Sequence, residues 1–430
     1  MGDSGSAESW GASVLDAFMR EGGNDWSWKV ERPAARASSG MLHTLCLTSQ
    51  RWRGLPWTHR LHCLLPDGMG ASARCFLYIT GSGEHATELA LLEALAVRIG
   101  APVAVLADVP NQPLYGDLRE DALIAHTFAR FLEDGDPGWP LLLPMTRAAV
   151  RAMDALQAFL ATQAQVHVDG FVVAGASKRG WTTYLAGAAD ARVRAIAPMV
   201  YDNLDMRAQL RRQREVFDGG YSPEIGDYTA LGLQARMEAP EGDRLLALVD
   251  PFAYRARLTM PKWLILGTND PYWPVDALAL YHDALPAPTY VTYIANAGHG
   301  LGQPERMLAA LSTLWAVSQA ADGGAGAGPG ADALAPLHWE LQRAPGRVQA
   351  RITGPDGALQ PRLWSAERPT LDFREARWSP GPVLRGAAPW GVELEAAPGV
   401  YRAAFLEVDA PGAGGRVALT TSIWTVGPAA

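Results

Sequence analysis

From residue 74 onward the sequence alternates short runs rich in Val, Ile, Leu and aromatic residues with segments whose apolar residues recur every three or four positions. That alternation admits few folds, because strands that alternate with helices assemble into a mostly parallel sheet covered by helices on both faces. Strands are expected at residues 74–80, 102–109, 171–174, 193–200, 262–266 and 290–294. Helices are expected at 88–99, closed by Gly100, and at 146–159.

The regular alternation breaks twice. Residues 203–257 are charged and irregular, with Arg211, Arg212, Arg214 and the turn Asp218-Gly219-Gly220, and read as a cap or lid inserted between two strands. Residues 320–336 are almost entirely Gly, Ala, Pro and Asp, the composition of a linker. Beyond it, runs at 348–352, 362–364, 401–406 and 417–420 are separated by Pro and Gly turns, as in a small β-sandwich. The expected organisation is therefore a large α/β domain over 1–319, a linker over 320–336 and a β-sandwich-like module over 337–430.

Composition excludes several classes of function. With 48% apolar and 19% charged residues the chain can bury a large core. A formal charge of −8 and no basic block longer than Arg211-Arg212 argue against a nucleic-acid partner. No apolar run approaches the ~20 residues of a membrane span, and the first residues hold no signal-peptide core. Cys46, Cys63 and Cys75 form no CxxC pair, so no metal site is expected; an odd number leaves at least one thiol unpaired within the chain.

Three short motifs carry chemistry. Phe171-Val172-Val173-Ala174-Gly175-Ala176-Ser177-Lys178-Arg179-Gly180 is an apolar strand that turns through small residues around a serine and enters a helix. This resembles a nucleophile elbow, although Arg179 stands where the last glycine of the usual pattern falls. Trp263-Leu264-Ile265-Leu266-Gly267-Thr268-Asn269-Asp270 is a buried-type strand that ends in an acid. Tyr293-Ile294-Ala295-Asn296-Ala297-Gly298-His299-Gly300 is a strand that leads to a histidine between glycines. Among nine histidines only His85, after the Thr80-Gly81-Ser82-Gly83 loop, rivals His299. Ser177, Asp270 and His299 follow their strands in the order in which an α/β sheet of this kind supplies nucleophile, acid and base. Oxyanion donors are expected from the amide of Lys178 and from Gly81 or Ser82. The side chains of Lys178 and Arg179 are expected to point into solvent at the helix start; the alternative is an electropositive entrance.

Longer strings carry a family resemblance. They are Ser49-Gln50-Arg51-Trp52-Arg53 with Trp57 and His59, Val109-Pro110-Asn111-Gln112-Pro113-Leu114, Glu120-Asp121-Ala122-Leu123-Ile124-Ala125, the stretch from Pro144 to Asp154, the serine motif, and Val200-Tyr201-Asp202-Asn203-Leu204-Asp205-Met206. In these, over roughly residues 24–315, the chain resembles the PhoPQ-activated pathogenicity-related protein family, which includes autocrine-proliferation-repressor-like proteins. The resemblance implies an α/β-hydrolase fold, export from the cytoplasm, and a triad on Ser177, Asp270 and His299. The expected reaction is hydrolysis of an ester or of an amide or peptide bond, on a small-molecule or peptide substrate, without cofactor or metal. Two other readings stay open: a catalytically silent binding or signalling protein, and an acyltransferase. Oligomeric state is not legible.

Overall fold

A computed structural model describes residues 4–21, 25–70, 73–83, 86–320 and 334–428. His85 and most of the expected linker, 321–333, lie outside the described residues. The chain forms two compact units: Met1–Pro198 with Ile225–Met260, and Met199–Glu224 with Pro261–Ala430. These cut across the organisation read from the sequence. The inserted segment is shared between the units, and the C-terminal module belongs to one unit with the strands that carry the acid and the histidine.

The first unit begins with helix α1 (Ser4–Arg20) and strands β1 (Ser27–Arg36), β2 (Gly40–Trp52) and β3 (Leu55–Pro66), followed by β4 (Arg74–Ile79), α2 (Ala86–Ile99), β5 (Val103–Leu106), α3 (Glu120–Asp134) and α4 (Leu142–Phe159). Strand β6 (Gly170–Ala176), helix α5 (Lys178–Ala189) and β7 (Val193–Met199) complete its sheet in the order β1-β2-β3-β5-β4-β6-β7. The leading strands β1 to β3 pair antiparallel, and β3 is antiparallel to β5. The strands joined through helices, β4 with β5 and β4 with β6, run parallel. Every residue of β4 and β5 is buried, as the uninterrupted apolar runs demand when helices cover both faces. Helix α3 stops at Gly135, whose left-handed backbone (φ 75°) lets its amide cap the carbonyl of Phe131.

The segment read as irregular is helical, and each half is packed. Helix α6 (Met206–Val216) belongs to the second unit; α7 (Gly226–Ala230), α8 (Leu233–Glu238) and α9 (Asp243–Val249) belong to the first. Gln209, Arg212 and Gln213 of α6 bond the Ala277 carbonyl, Asp276 and the Tyr272 carbonyl. On the other side, Tyr228 donates to Asp121 and Arg236 to the Leu132 carbonyl, which fixes α7 and α8 to α3. The charges that made the segment look irregular are the outward and ion-paired sides of short amphipathic helices.

In the second unit β8 (Lys262–Gly267) and β9 (Thr289–Ile294) are parallel, fully buried strands, followed by α10 (Pro304–Ala320). Then come β10 (His338–Ala344), β11 (Arg347–Thr353), β12 (Leu359–Arg368), β13 (Ser379–Val383), β14 (Trp390–Glu395), β15 (Tyr401–Gly412), β16 (Gly415–Thr420) and β17 (Trp424–Val426). They form two antiparallel sheets, β10-β11-β14 and β13-β12-β15-β16, with β17 paired to β15. These sheets are bonded to the α/β strands: Thr292 donates to the Ala418 carbonyl (2.7 Å) and the Tyr293 amide to Thr420 (3.0 Å). Among the described residues no helix is long and apolar enough to cross a membrane. All three cysteines are unbridged.

Candidate active site

Ser177 sits between β6 and α5 with φ 58° and ψ −127°, a backbone that side-chain-bearing residues rarely adopt. Two neighbours force it there. Its own carbonyl accepts from the Trp181 amide (3.0 Å), so the helix starts at once. Strand and helix also approach closely at Gly175, where a Cβ would lie 2.6 Å from the Arg179 carbonyl oxygen. The turn therefore ends an apolar strand with a serine and begins a helix at Lys178, whose amide is among the first-turn groups that the helix itself leaves unsatisfied. Ser82, on the loop after β4, is exposed, and the Gly81 carbonyl accepts from the Asp108 amide (2.9 Å).

The cations after the serine do not point into solvent, and neither makes an open electropositive entrance. Arg179, 9% exposed, forms two bonds to Glu120 (2.8 and 2.7 Å) and donates Nε to the Val109 carbonyl (2.6 Å). Lys178 pairs with Asp121 at 2.8 Å and Glu120 at 3.4 Å. Glu120 is itself set by Gln112, which accepts from its amide (2.8 Å) and donates to its carboxylate (2.6 Å). Burial raises the Glu120 pKa, but the Arg179 bond and charge, and then Lys178, outweigh it and bring the group down to about 2. Helix charges that would face solvent in an isolated α5 are thus bound to the start of α3, and the Arg179 guanidinium packs against Gly81.

This brace gives a role to the runs at 109–114 and 120–125. Glu120 and Asp121 were not singled out from the sequence as site residues. The available signal was the pair of cations directly after a buried strand, which need acidic partners somewhere. The aromatic run also has a structural role. Trp52 packs edge-on against Trp57 (5.6 Å) and Trp139 (6.5 Å), and Arg53 lies 3.3 Å over the Trp139 ring. His59 is buried between Ser49 (2.9 Å) and the Asp108 carbonyl (3.0 Å), and burial holds its pKa down at about 4.

In the second unit the expected acid and histidine meet. Asp270 Oδ2 is 2.8 Å from His299 Nδ1, and Oδ1 accepts from the Tyr272 amide at 3.0 Å. Because Oδ2 can only accept while the carboxylate is ionised, the proton of the pair sits on Nδ1 and leaves Nε2 as the basic nitrogen. The Tyr272 ring lies 4.4 Å from the imidazole, tilted by 33°. Gly267 lets the two loops touch: a Cβ there would be 2.5 Å from the Ala297 carbonyl oxygen. Asn269, adjacent to the acid, is not available to the histidine, since its amide donates to the carbonyls of Arg374 and Ala376.

A second carboxyl lies beside Asp270. Asp202, 4% exposed, accepts from Tyr281 (2.8 Å) and Tyr293 (3.4 Å) and lines a small cavity with Asp270, Trp273 and Tyr293. Burial pushes its pKa up to about 7; the Tyr281 bond opposes this, the Asp270 charge adds to it, and Tyr293 and Asp276 contribute less. The folded chain therefore holds a proton, between pH 3.8 and about 7, that the unfolded chain has released. Stability from this group falls as pH rises through that window, by up to about 1.4 kcal/mol per pH unit. Asp202→Asn should remove that slope. Denaturant titrations at several pH values check this: a stability difference between wild type and variant that does not change with pH would show that Asp202 keeps an ordinary carboxyl pKa.

Among the described residues no cluster of three or more His, Cys, Asp or Glu could hold a metal ion. The described site residues divide between the units, with Ser177, Lys178, Gly81 and Ser82 in the first and Asp270 and His299 in the second.

Comparison with known proteins bears on both fold and family. An acetyl xylan esterase from Paenibacillus sp. R4 aligns with a TM-score of 0.52 at 15% identity, over 72% of this chain and 93% of that one. Acetyl xylan esterase 1 from Thermoanaerobacterium sp. JW/SL YS485 aligns at 0.48 and 16% identity, over 69% and 88%. The fold is that of the α/β-hydrolases, a large mostly parallel sheet with helices, followed by separate antiparallel sheets. Autocrine proliferation repressor protein A of Dictyostelium discoideum is 35% identical over 313 residues, which cover 67% of this chain and 62% of that protein, so the match spans less than two thirds of the relative. The family model for PhoPQ-activated pathogenicity-related protein matches residues 15–374. The chain belongs to the PhoPQ-activated pathogenicity-related protein family.

Proposed function

We propose that the protein is a serine hydrolase that cleaves an ester or an amide bond through an acyl-enzyme on Ser177. The observation that carries this reading is the backbone of Ser177, a side-chain-bearing residue held at φ 58°, ψ −127° at a strand-to-helix turn. Strain of that kind costs about 1–3 kcal/mol and persists where a function needs the side chain displayed. His299, oriented through Nδ1 by Asp270, takes the serine proton on Nε2 as the hydroxyl attacks the acyl carbonyl. The developing oxyanion is received by the amide of Lys178 and by one from Gly81 or Ser82. The histidine then returns its proton to the leaving group, and water releases the acyl group by the reverse sequence.

Labelling with a fluorophosphonate probe tests the reading, with mass spectrometry to locate the adduct. The expected result is a single adduct on Ser177 whose formation is lost in His299→Ala. Folded protein that takes no label would overturn it. That outcome would favour a silent signalling protein, a reading to which the name of the Dictyostelium relative lends support. If label appears, product analysis with added alcohols or amines separates hydrolysis from acyl transfer, and a screen of small acyl esters and peptides gives the substrate class.

A further inference from the structure

The C-terminal module is bonded to the two loops that carry the proposed acid and base. Asn269, one residue before Asp270, donates its side-chain amide to the carbonyls of Arg374 (3.0 Å) and Ala376 (2.7 Å). Asn296, three residues before His299, forms a two-bond pair with the Trp378 backbone: its amide donates to the carbonyl (3.0 Å) and its oxygen accepts from the Trp378 amide (2.7 Å). Asn296 holds a left-handed backbone (φ 58°). Asparagine tolerates that conformation better than most residues and turns its side chain into a substitute for a strand partner.

The loops are also tied to each other. The Asn269 backbone amide donates to the Ala297 carbonyl (2.9 Å), and the Asn296 backbone amide to the Thr268 hydroxyl (2.8 Å), which in turn donates to the Asn269 side-chain oxygen (2.7 Å). The segment that holds them is packed in its own right. Phe373 and Trp378 are each 2% exposed, and the Trp378 ring packs 5.4 Å from Phe405 in β15. The Ala376 amide closes a turn onto the Phe373 carbonyl (2.9 Å). A continuous path therefore runs from the module's core, through the backbone between Arg374 and Trp378, to Asn269 and Asn296, and so to both ends of the Asp270–His299 bond.

We propose that the Arg374–Trp378 segment of the C-terminal module is a positioning element for the Asp270–His299 pair, acting through Asn269 and Asn296. The proposal rests on the hydrolase reading for its effect on rate, but not for its effect on geometry. Displacing a catalytic group by about 1 Å costs on the order of 10²-fold. Loss of either asparagine clamp should therefore slow the reaction without touching substrate.

The test compares Asn269→Ala, Asn296→Ala and the near-isosteric Asn296→Asp in the full chain. Three readouts apply: the fluorophosphonate labelling rate, kcat and KM on p-nitrophenyl acetate, and the low-field proton resonance of the Asp270–His299 hydrogen bond. Expected are a labelling rate and kcat reduced about tenfold to a hundredfold with KM nearly unchanged, and a broadened or lost resonance, in protein whose circular dichroism is that of wild type. Asn296→Asp keeps the bond from the Trp378 amide but sets an acceptor oxygen against the Trp378 carbonyl, so it too should slow labelling and kcat at least about tenfold. Variants that melt earlier yet label at the wild-type rate and keep the resonance would show the clamp to be structural only and overturn the proposal. If the wild type itself takes no label, the hydrolase reading fails, and the resonance decides alone: lost in the variants it supports positioning, unchanged it overturns it.

Discussion

Ser177→Ala should reduce turnover by about 10³- to 10⁶-fold and abolish fluorophosphonate labelling while the protein stays folded. The hydroxyl is the only group removed, and its backbone remains in a conformation that alanine finds as costly as serine does. Melting should accordingly change little. A companion substitution separates the strain from the chemistry. Ser177→Gly should be equally inactive, but glycine takes φ 58° without a Cβ penalty, so this variant should be more stable than Ser177→Ala by about 1 kcal/mol. Turnover measured on a purified ester, with thermal melts of all three proteins, checks both parts. If Ser177→Ala keeps a tenth or more of the wild-type rate, Ser177 is not the nucleophile, and the unusual backbone would need another explanation.

The strand that delivers Ser177 belongs to the part of the fold most legible in the sequence. β4, β6, β7, β8 and β9 are mostly apolar and almost entirely buried, as strands covered on both faces are, and each is legible in outline from the sequence. Ser177 and the Asp270–His299 pair stand at the ends of such runs, where the change from apolar strand to small or polar turn marks them. Other parts give no such signal. β1 is mostly exposed and contains Pro33, so it presents neither an apolar run nor a clean alternation. β13, Ser379–Val383, reads Ser-Pro-Gly-Pro-Val, a composition that argues against a strand except at a sheet edge, which is where it lies.

The brace under the elbow was hidden for a different reason. Arg179 and Glu120 are 59 positions apart, and no local pattern announces which carboxylate will meet which cation. Arg179 in the elbow looked like a departure from the usual glycine. Together with Lys178 it instead ties α5 to the start of α3. The linker-like composition over 320–336 marks a boundary before a β-sandwich-like module, and the residues after it are bonded to β9 and to the loops of Asp270 and His299. Flexible composition in a connector does not make the next segment independent, since the packing is decided by faces that only the tertiary structure brings together.

Asp270→Asn should lower kcat by about 10⁴-fold, the scale on which an amide fails to replace the carboxylate of a Ser-His-Asp site, with little change in substrate affinity. The reason lies in a competition for one oxygen. Asp270 offers two acceptors, one to the Tyr272 amide and one to His299 Nδ1. Asparagine has a single acceptor oxygen and a donor amide. If the oxygen stays with the Tyr272 amide, the amide faces Nδ1, which must then accept. That moves the imidazole proton to Nε2, the nitrogen that in the proposed mechanism receives the serine proton, so the proposed base would be lost without any displacement of atoms. If the amide is turned the other way, two donors face each other at the part-buried Tyr272 amide, which costs about 1 kcal/mol or more. Asn269 cannot take over, because its amide is engaged by the carbonyls of Arg374 and Ala376. Fluorophosphonate labelling should slow in parallel with kcat, since both need the activated hydroxyl. The low-field resonance of the Nδ1 proton should disappear in the variant, whose melting temperature stays within a few degrees of wild type. A variant that labels within tenfold of the wild-type rate would mean that His299 takes its orientation from elsewhere, and would remove Asp270 from the mechanism while leaving Ser177 and His299 in it.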